Sequence, residues 1–302
     1  MVSPAGLGCG GYSRLGMLKG GDEAAAEAVV RHALELDVNF FDTAPAYGTE
    51  EVVGRALAGR RDDVVISSKT MYRTRDGEYL SADDILKSIE QSLVRLKTDY
   101  IDVFSLHGVT DRHLDYCLEN HLPLLEQQKA LGKIRHLGIT EHFMAEPEHD
   151  MLIRALEADC FDVAMVGFNF LNTSARDSVF RLALENNIGT QLMHAVRRAL
   201  ADADVLQGIL VGLIETGEVD AAEINIDDPL DFVTSQEGVD SVTEAAYRYC
   251  RHEPGVSVVL TGTGSQDHLG QNVKAIMAQP LPVELKERLD TVFGRVRSVS
   301  GD

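Results

Sequence analysis

The chain lacks tryptophan, is poor in aromatic residues and has far fewer basic than acidic side chains, 28 against 48. Its formal net charge of −20 repels the phosphates of nucleic acids, so we expect no nucleic acid partner. No apolar run approaches the roughly 20 residues that a membrane-spanning helix requires, so we expect no membrane contact. The first residues show no charged region before a continuous apolar run, which predicts no secretory signal.

Cysteine is also scarce. The four cysteines, at positions 9, 117, 160 and 250, lie far apart, and none belongs to a Cys-x-x-Cys pair. This spacing argues against a zinc ribbon and against a disulfide framework, and we expect no metal site. Free thiols fit a reducing compartment, so the sequence predicts a cytoplasmic protein whose cysteines are small buried hydrophobic residues.

What is present is a regular alternation of two patterns. Short apolar runs rich in β-forming residues precede stretches with apolar residues at helical spacing. One such run ends abruptly at Asp42, before a turn that carries Pro45 and Gly48. A glycine-rich stretch, 6–20, follows a short first strand, and Asp22 is the predicted N-cap of the next helix. The other predicted strands span 64–69, 100–107, 134–140, 162–168, 188–194 and 256–261.

The number and character of these runs indicate the fold. The strands are continuous apolar runs rather than alternating ones, which is typical of a parallel sheet covered by helices. Eight strand–helix units in 302 residues favour a closed (β/α)8 TIM barrel over an open doubly wound sheet. No break in composition divides the chain, so we expect one barrel domain over 1–302, with a variable, irregular and acidic loop at about 200–240.

Four polar residues stand at the ends of neighbouring predicted strands, or just after them: Asp42, Tyr47, Lys69 and His107. Active sites of (β/α)8 barrels lie at the carboxyl ends of the strands, so we expect these side chains to meet. A carboxylate at a strand end, followed by a tyrosine in the next loop, is a candidate part of a proton-transfer site.

The sequence around these residues resembles the catalytic tetrad of the aldo-keto reductases. The motifs are Phe41-Asp42-Thr43-Ala44 before Tyr47-Gly48, then Ser67-Ser68-Lys69, and Asp102-Val103 through Leu106-His107. Segments 134–140 and 262–272 are also similar to the family, so the resemblance covers nearly the whole chain. It implies NAD(P)H-dependent reduction of an aldehyde or ketone, or the reverse oxidation of an alcohol, with a small-molecule carbonyl or alcohol as the partner. Hydride addition to a carbonyl carbon gives the oxygen alkoxide character, so a proton donor must be close. The resemblance implies that Tyr47 is the general acid and base, that Lys69 lowers its pKa, and that Asp42 pairs with Lys69. A neutral His107 is expected to orient the carbonyl oxygen.

The resemblance also implies a nicotinamide dinucleotide that lies extended across the barrel mouth. NADP(H) is favoured by the family, and NAD(H) stays open because Gly262 and His268 stand where Lys or Arg commonly meets a 2′-phosphate. Thr140 and Glu141 occupy the places where the family commonly holds the carboxamide, and Met193 occupies the place of the group that covers the nicotinamide ring. The other predicted cofactor-binding residues are Asn169, the pyrophosphate clamp Arg197 and Arg198, the phosphate-loop residues Gly262 and Gly264, and Asn272 at the adenine.

Other interpretations stay open at this stage. The chain also fits a nucleotide-binding regulatory protein of the same fold that reports redox state with negligible turnover, or an open α/β binding protein without reductase chemistry. Asn169 could instead cap the turn at the end of its strand. Arg197 and Arg198 could instead form an exposed basic pair on a helix. The sequence indicates neither the substrate nor the oligomeric state.

Overall fold

The apolar runs form eight parallel strands that close into a barrel in chain order, and β8 pairs with β1. A computed structural model describes all 302 residues. The strands are β1 (Ala5–Gly8), β2 (Phe40–Asp42), β3 (Val65–Thr70), β4 (Ile101–Val109), β5 (Ile134–Glu141), β6 (Val163–Gly167), β7 (Gly189–Met193) and β8 (Val258–Thr261). The predicted (β/α)8 barrel is therefore confirmed.

Helices alternate with the strands and cover the outside of the barrel. They are α1 (Glu23–Glu35), α2 (Glu50–Ala56), α3 (Ala82–Leu96), α4 (Asp111–Tyr116), α5 (Leu122–Ala130), α6 (Asp150–Glu157), α7 (Arg181–Glu185), α8 (Ala203–Glu215), α9 (Asp231–Thr234), α10 (Val242–Arg251), α11 (Gln266–Met277) and α12 (Val283–Phe293). The predicted N-cap Asp22 accepts the N–H of Ala25 at 2.8 Å. Ser81 and Asp84 form a reciprocal capping box at the start of α3. None of these helices combines the length and the apolar composition that crossing a bilayer requires.

The segment 200–240 is more regular than the sequence analysis predicts. Asp202 caps α8, and the buried face of this helix carries Leu206, Leu210 and Leu213. The expectation of an irregular loop is therefore wrong for 203–215. The helix forms because the acidic residues of the segment flank an apolar stripe at helical spacing, and this stripe packs into the hydrophobic core.

Candidate active site

The carboxyl ends of β2, β3 and β4 bring three of the predicted catalytic residues to one edge of the barrel. Asp42 is the last residue of β2, and β2 pairs directly with β3. Lys69 and His107 lie near the ends of β3 and β4, which also pair with each other. Tyr47 ends the short 3-10 turn that follows β2. The structure thus places all four side chains at the same end of the barrel.

Lys69 is fully buried, and oxygen atoms surround its ammonium. The Nζ atom donates to Asp42 Oδ1 at 2.5 Å and to the carbonyl oxygen of Thr43 at 3.0 Å. The hydroxyl of Ser67 also donates to Asp42 Oδ1, at 3.0 Å. Burial by itself disfavours the ammonium, but the Asp42 carboxylate outweighs that effect and raises the pKa of Lys69. Lys69 is therefore charged at neutral pH.

The ring of Tyr47 has Lys69 and His107 as neighbours. Its hydroxyl lies 3.3 Å from His107 Nε2, and Lys69 Nζ lies 5.1 Å from the ring centre. Burial raises the pKa of Tyr47 more than the Lys69 ammonium lowers it, so the phenol is protonated at neutral pH. Lys69 thus acts on the pKa of Tyr47 in the predicted direction, but burial, which depends on tertiary contacts, has the larger effect, so the net shift is upward.

Neutral imidazoles line the same edge. Burial lowers the pKa of His107 to about 3, and the charges of Lys69 and His142 add to this effect. His194, which directly follows β7, also has its pKa lowered to about 3, by burial and then by Arg197 and His142. Both imidazoles are uncharged at neutral pH. His107 can therefore share a hydrogen bond with the Tyr47 hydroxyl without adding positive charge to the site.

A groove of about 1360 Å³ leads from Asp42 and Tyr47 past the ends of β7, β8 and β1 to the start of α11. Seven predicted cofactor residues line it: Met193, Arg197, Arg198, Gly262, Gly264, His268 and Asn272. Tyr12 and Ser13, in the loop after β1, line it as well, although no motif in the sequence marks them as binding residues. The groove is long enough to connect the tetrad with a distant helix N-terminus.

Three predicted cofactor residues do not line the groove. Thr140 Oγ1 accepts the N–H of Gly108 at 2.7 Å. The buried carboxylate of Glu141 forms a hydrogen bond with His149 Nδ1 at 2.9 Å and accepts the N–H of Gly167 at 2.7 Å. These two side chains join neighbouring loops, and the carboxylate has its partners inside the protein.

Asn169 is the third of these residues, and it is completely buried. Its Oδ1 accepts the N–H groups of Leu171 and Asn172, in the pattern of a strand-end turn cap. Its Nδ2 donates to the carbonyl oxygen of Ser300 at 3.1 Å and to that of His194 at 3.2 Å. The turn-cap interpretation therefore describes its contacts, and its amide is fully used in holding loops together.

The two arginines after β7 differ in their surroundings. Arg197 forms an ion pair with Asp302 and lies 5.1 Å above the ring of Tyr12. Arg198 lines the groove and has no ion-pair partner in the structure. Sequence reasoning could not find the role of Asp302, because 105 positions separate it from Arg197 and 290 from Tyr12. Only one guanidinium of the predicted pair is free for a phosphate.

The far end of the groove suits an anionic group. The hydroxyl of Ser265 caps α11 by accepting the N–H of His268 at 3.3 Å. Gly264 packs directly on Gly16, where an added Cβ would lie 2.3 Å from Gly16 Cα. This close approach leaves a glycine-lined turn in front of α11. The unpaired N–H groups of a first helical turn attract phosphates, so the residues present fit the pyrophosphate of a dinucleotide.

Comparison with known proteins gives consistent matches. The family model described as the aldo/keto reductase family matches residues 6–292. The uncharacterized oxidoreductase YqkF of Bacillus subtilis is 26% identical over 291 residues, covering 94% of this chain and 90% of YqkF. L-galactose dehydrogenase of Arabidopsis thaliana is 39% identical over 124 residues, 39% of each chain. The solved holo structure of aldo-keto reductase AKR11C1 from Bacillus halodurans matches with a TM-score of 0.72 and 25% identity, covering 99% of this chain and 93% of that one.

Proposed function

This chain belongs to the aldo/keto reductase family, a family of oxidoreductases, and from that premise we propose that it reduces an aldehyde or ketone with a nicotinamide cofactor. The same site would run the reverse oxidation of an alcohol. The observation that carries this proposal is the contact of the Tyr47 hydroxyl with His107 Nε2 at 3.3 Å, beside the buried ammonium of Lys69. A proton donor, a neutral orienting group and a fixed cation are the groups that carbonyl reduction requires of the protein.

Each residue has a separate part in the proposed reaction. A reduced nicotinamide, when bound, supplies the hydride. The protonated Tyr47 phenol donates a hydrogen bond to the carbonyl oxygen and then its proton, as negative charge develops on that oxygen. The Lys69 ammonium stabilises the phenolate that remains, while Asp42 holds Lys69 in place. His107, as a neutral imidazole, orients the carbonyl oxygen next to Tyr47.

Cofactor binding is proposed for the residues that line the groove. Met193 would cover the nicotinamide, Arg198 would meet the pyrophosphate, and the turn of Gly262 and Gly264 would present the start of α11 to phosphate. Asn272, whose Nδ2 donates to Thr261 Oγ1 at 2.9 Å, keeps its oxygen for the adenine. Thr140, Glu141 and Asn169 act through the loops that they join.

The choice between the two cofactors depends on the adenosine end. The family favours NADP(H), and we propose NADP(H) first. NAD(H) is the alternative, because neither Gly262 nor His268 offers the permanent cation of a Lys or Arg to a 2′-phosphate. Isothermal titration with NADPH and with NADH decides between them: a 2′-phosphate that is recognised gives NADPH the lower Kd.

The function is tested by following nicotinamide absorbance with NADPH, and then with NADH, against a panel of aldehydes and ketones. We expect turnover with at least one carbonyl compound, and reverse reduction of the oxidised cofactor by the matching alcohol. Tight cofactor binding without turnover on the panel would support the regulatory alternative. Absence of cofactor binding would contradict the proposal altogether.

A further inference from the structure

Residues 297–302, here called the capping segment, follow α12 and lie across the barrel mouth. Asn172 Nδ2 donates to the carbonyl oxygens of Arg297 and Val299, at 3.3 and 2.8 Å. The carboxylate of Glu218 accepts the N–H groups of Arg297 and Ser298. Because both anchors bind the backbone, the path of the segment does not depend on its last side chain.

Backbone bonding continues toward the end of the capping segment. Asn169 donates to the carbonyl oxygen of Ser300 at 3.1 Å, and the N–H of Ala199 donates to that of Gly301 at 3.0 Å. Gly301 has a positive φ of 89°, a conformation that glycine adopts without strain. The segment is thereby tied to the loops that follow β6 and β7, and it brings Asp302 to the groove.

Asp302 closes a bridge above the mouth. Its Oδ2 pairs with Arg197, and its Oδ1 accepts the hydroxyl of Tyr12 at 3.1 Å. A second contact of Arg197, at 3.8 Å, reaches the sulfur of Met144 in the loop after β5. The carboxylate is 8% exposed and the guanidinium 15%, so the ion pair is largely removed from water. A charge in such a place is costly without its partner.

The bridge belongs to the same cavity as the proposed reaction. Tyr12 and Arg197 line the groove together with Tyr47. A substrate that reaches Tyr47 through this groove therefore passes within electrostatic range of Arg197.

This inference rests on the proposed carbonyl reduction and names the class of substrate. We propose that Asp302 is a specificity-determining residue, which neutralises Arg197 at the barrel mouth so that the site takes uncharged aldehydes or ketones. Without the carboxylate, the guanidinium becomes a subsite for a carbonyl compound that carries a carboxylate group. The net charge of −20 acts in the same direction, because it disfavours anionic substrates.

The kinetic test compares benzaldehyde with 4-carboxybenzaldehyde in the full chain. Asp302→Asn keeps an oxygen that can accept the hydroxyl of Tyr12. In this variant we expect the ratio of kcat/KM for 4-carboxybenzaldehyde to kcat/KM for benzaldehyde to rise by about tenfold, chiefly through a lower KM for 4-carboxybenzaldehyde. The gain shrinks with added salt, as expected for a charge contact. Asp302→Glu restores the preference of the wild type. An unchanged ratio in Asp302→Asn overturns the proposal.

A matched control removes the same charge elsewhere. Asp62 is exposed, lies in the turn before β3 at the opposite end of the barrel, and forms no ion pair. Asp62→Asn should leave the preference between the two aldehydes unchanged. If it shifts the ratio as much as Asp302→Asn does, the effect comes from net charge, and the local assignment fails.

A second measurement does not depend on turnover. Isothermal titration with benzoate, and with benzamide as the uncharged analogue, measures the anion preference of the mouth directly. We expect about tenfold tighter benzoate binding in Asp302→Asn than in the wild type, with benzamide unchanged. If no aldehyde is reduced but this gain appears, the proposed function fails while the charge assignment stands. Equal benzoate affinity in both proteins overturns the assignment.

Discussion

Lys69 and Tyr47 determine the chemistry of this site through opposite responses to burial. Burial disfavours the charged form of each group, yet the Asp42 carboxylate at 2.5 Å keeps Lys69 protonated. For Tyr47, burial outweighs the Lys69 ammonium, and its phenol keeps its proton. The result is a protonated acid beside a permanent cation, which is the arrangement that a proton transfer to a developing alkoxide requires.

Removal of the phenol tests this arrangement. Tyr47→Phe keeps the ring and its packing but removes the proton, so we expect kcat for carbonyl reduction to fall by about 10²–10⁴-fold. The Kd for the reduced cofactor should stay nearly unchanged, as measured by fluorescence titration. A Phe variant that reduces aldehydes at the wild-type rate would show that another group is the proton donor.

The buried histidines predict a pH dependence of stability. His194 has a pKa near 3 in the folded chain against an ordinary value of 6.5, so the unfolded state binds more protons below pH 6.5. Its contribution is therefore present above pH 6.5 and lost as the pH falls from 6.5 toward 3. Between pH 7 and pH 5, His194→Gln should lose about 2 kcal/mol less unfolding free energy than the wild type. Urea unfolding at both pH values measures this, and equal losses would contradict the assigned pKa.

At the scale of elements, the loops after the strands position the reacting groups. Gly10, in the loop after β1, lies against the ring of Tyr47, which follows β2. Glu141 joins the loop after β5 to the end of β6 through His149 and the N–H of Gly167, and the amide of Asn169 joins the loops after β6 and β7. The capping segment adds a further wall. The site thus depends on contacts between loops that are distant in sequence.

The contact between Gly10 and Tyr47 can be tested by a single methyl group. In Gly10→Ala the new Cβ would lie 2.6 Å from Tyr47 Cε2, so the ring, whose hydroxyl contacts His107, must shift. We expect kcat/KM to fall by about 10- to 100-fold, because small displacements of a reacting group are costly. Gly208→Ala in α8 is the control, since nothing lies within 4 Å of its added carbon. An active Gly10→Ala enzyme would show that the loop adapts.

At the scale of the whole molecule, one closed barrel carries a strongly acidic surface. Seventy-five buried apolar residues form a single core cluster, so the strand ends are held on one rigid scaffold. We expect the charge of −20 to repel a dinucleotide at long range, whereas the proposed contacts with Arg198 and the start of α11 act only at close approach. Salt screens the long-range effect more strongly than the contacts inside the groove.

This difference predicts an unusual sign for the effect of salt. The association rate constant of NADPH should rise as ionic strength increases from about 0.02 M to about 0.15 M, because the repulsion of the whole surface is screened first. Stopped-flow fluorescence measures this rate. A rate that falls with salt would mean that local cations, rather than the net charge, control the encounter.

Much of this protein follows from local sequence patterns. Eight apolar runs separated by helical stretches predict the barrel, and Asp42, Lys69 and His107 are found at its mouth because parallel strands end at one edge. Tyr47 is included because its turn directly follows β2. Helix α8 is the exception: its apolar residues have helical spacing in the sequence, but the acidic residues around them dominate the composition of the segment.

The remaining features depend on residues that are far apart in the chain. The pKa of Tyr47 is shifted upward because other loops bury its ring. The side-chain amide of Asn169 donates to the carbonyl oxygen of Ser300, which lies 131 positions away. Composition and spacing cannot show that Asp302 neutralises Arg197 across 105 positions. Local patterns determine which elements form and where each ends, whereas the partners of a polar side chain are decided by the closure of the barrel, because closure alone brings distant loops into contact.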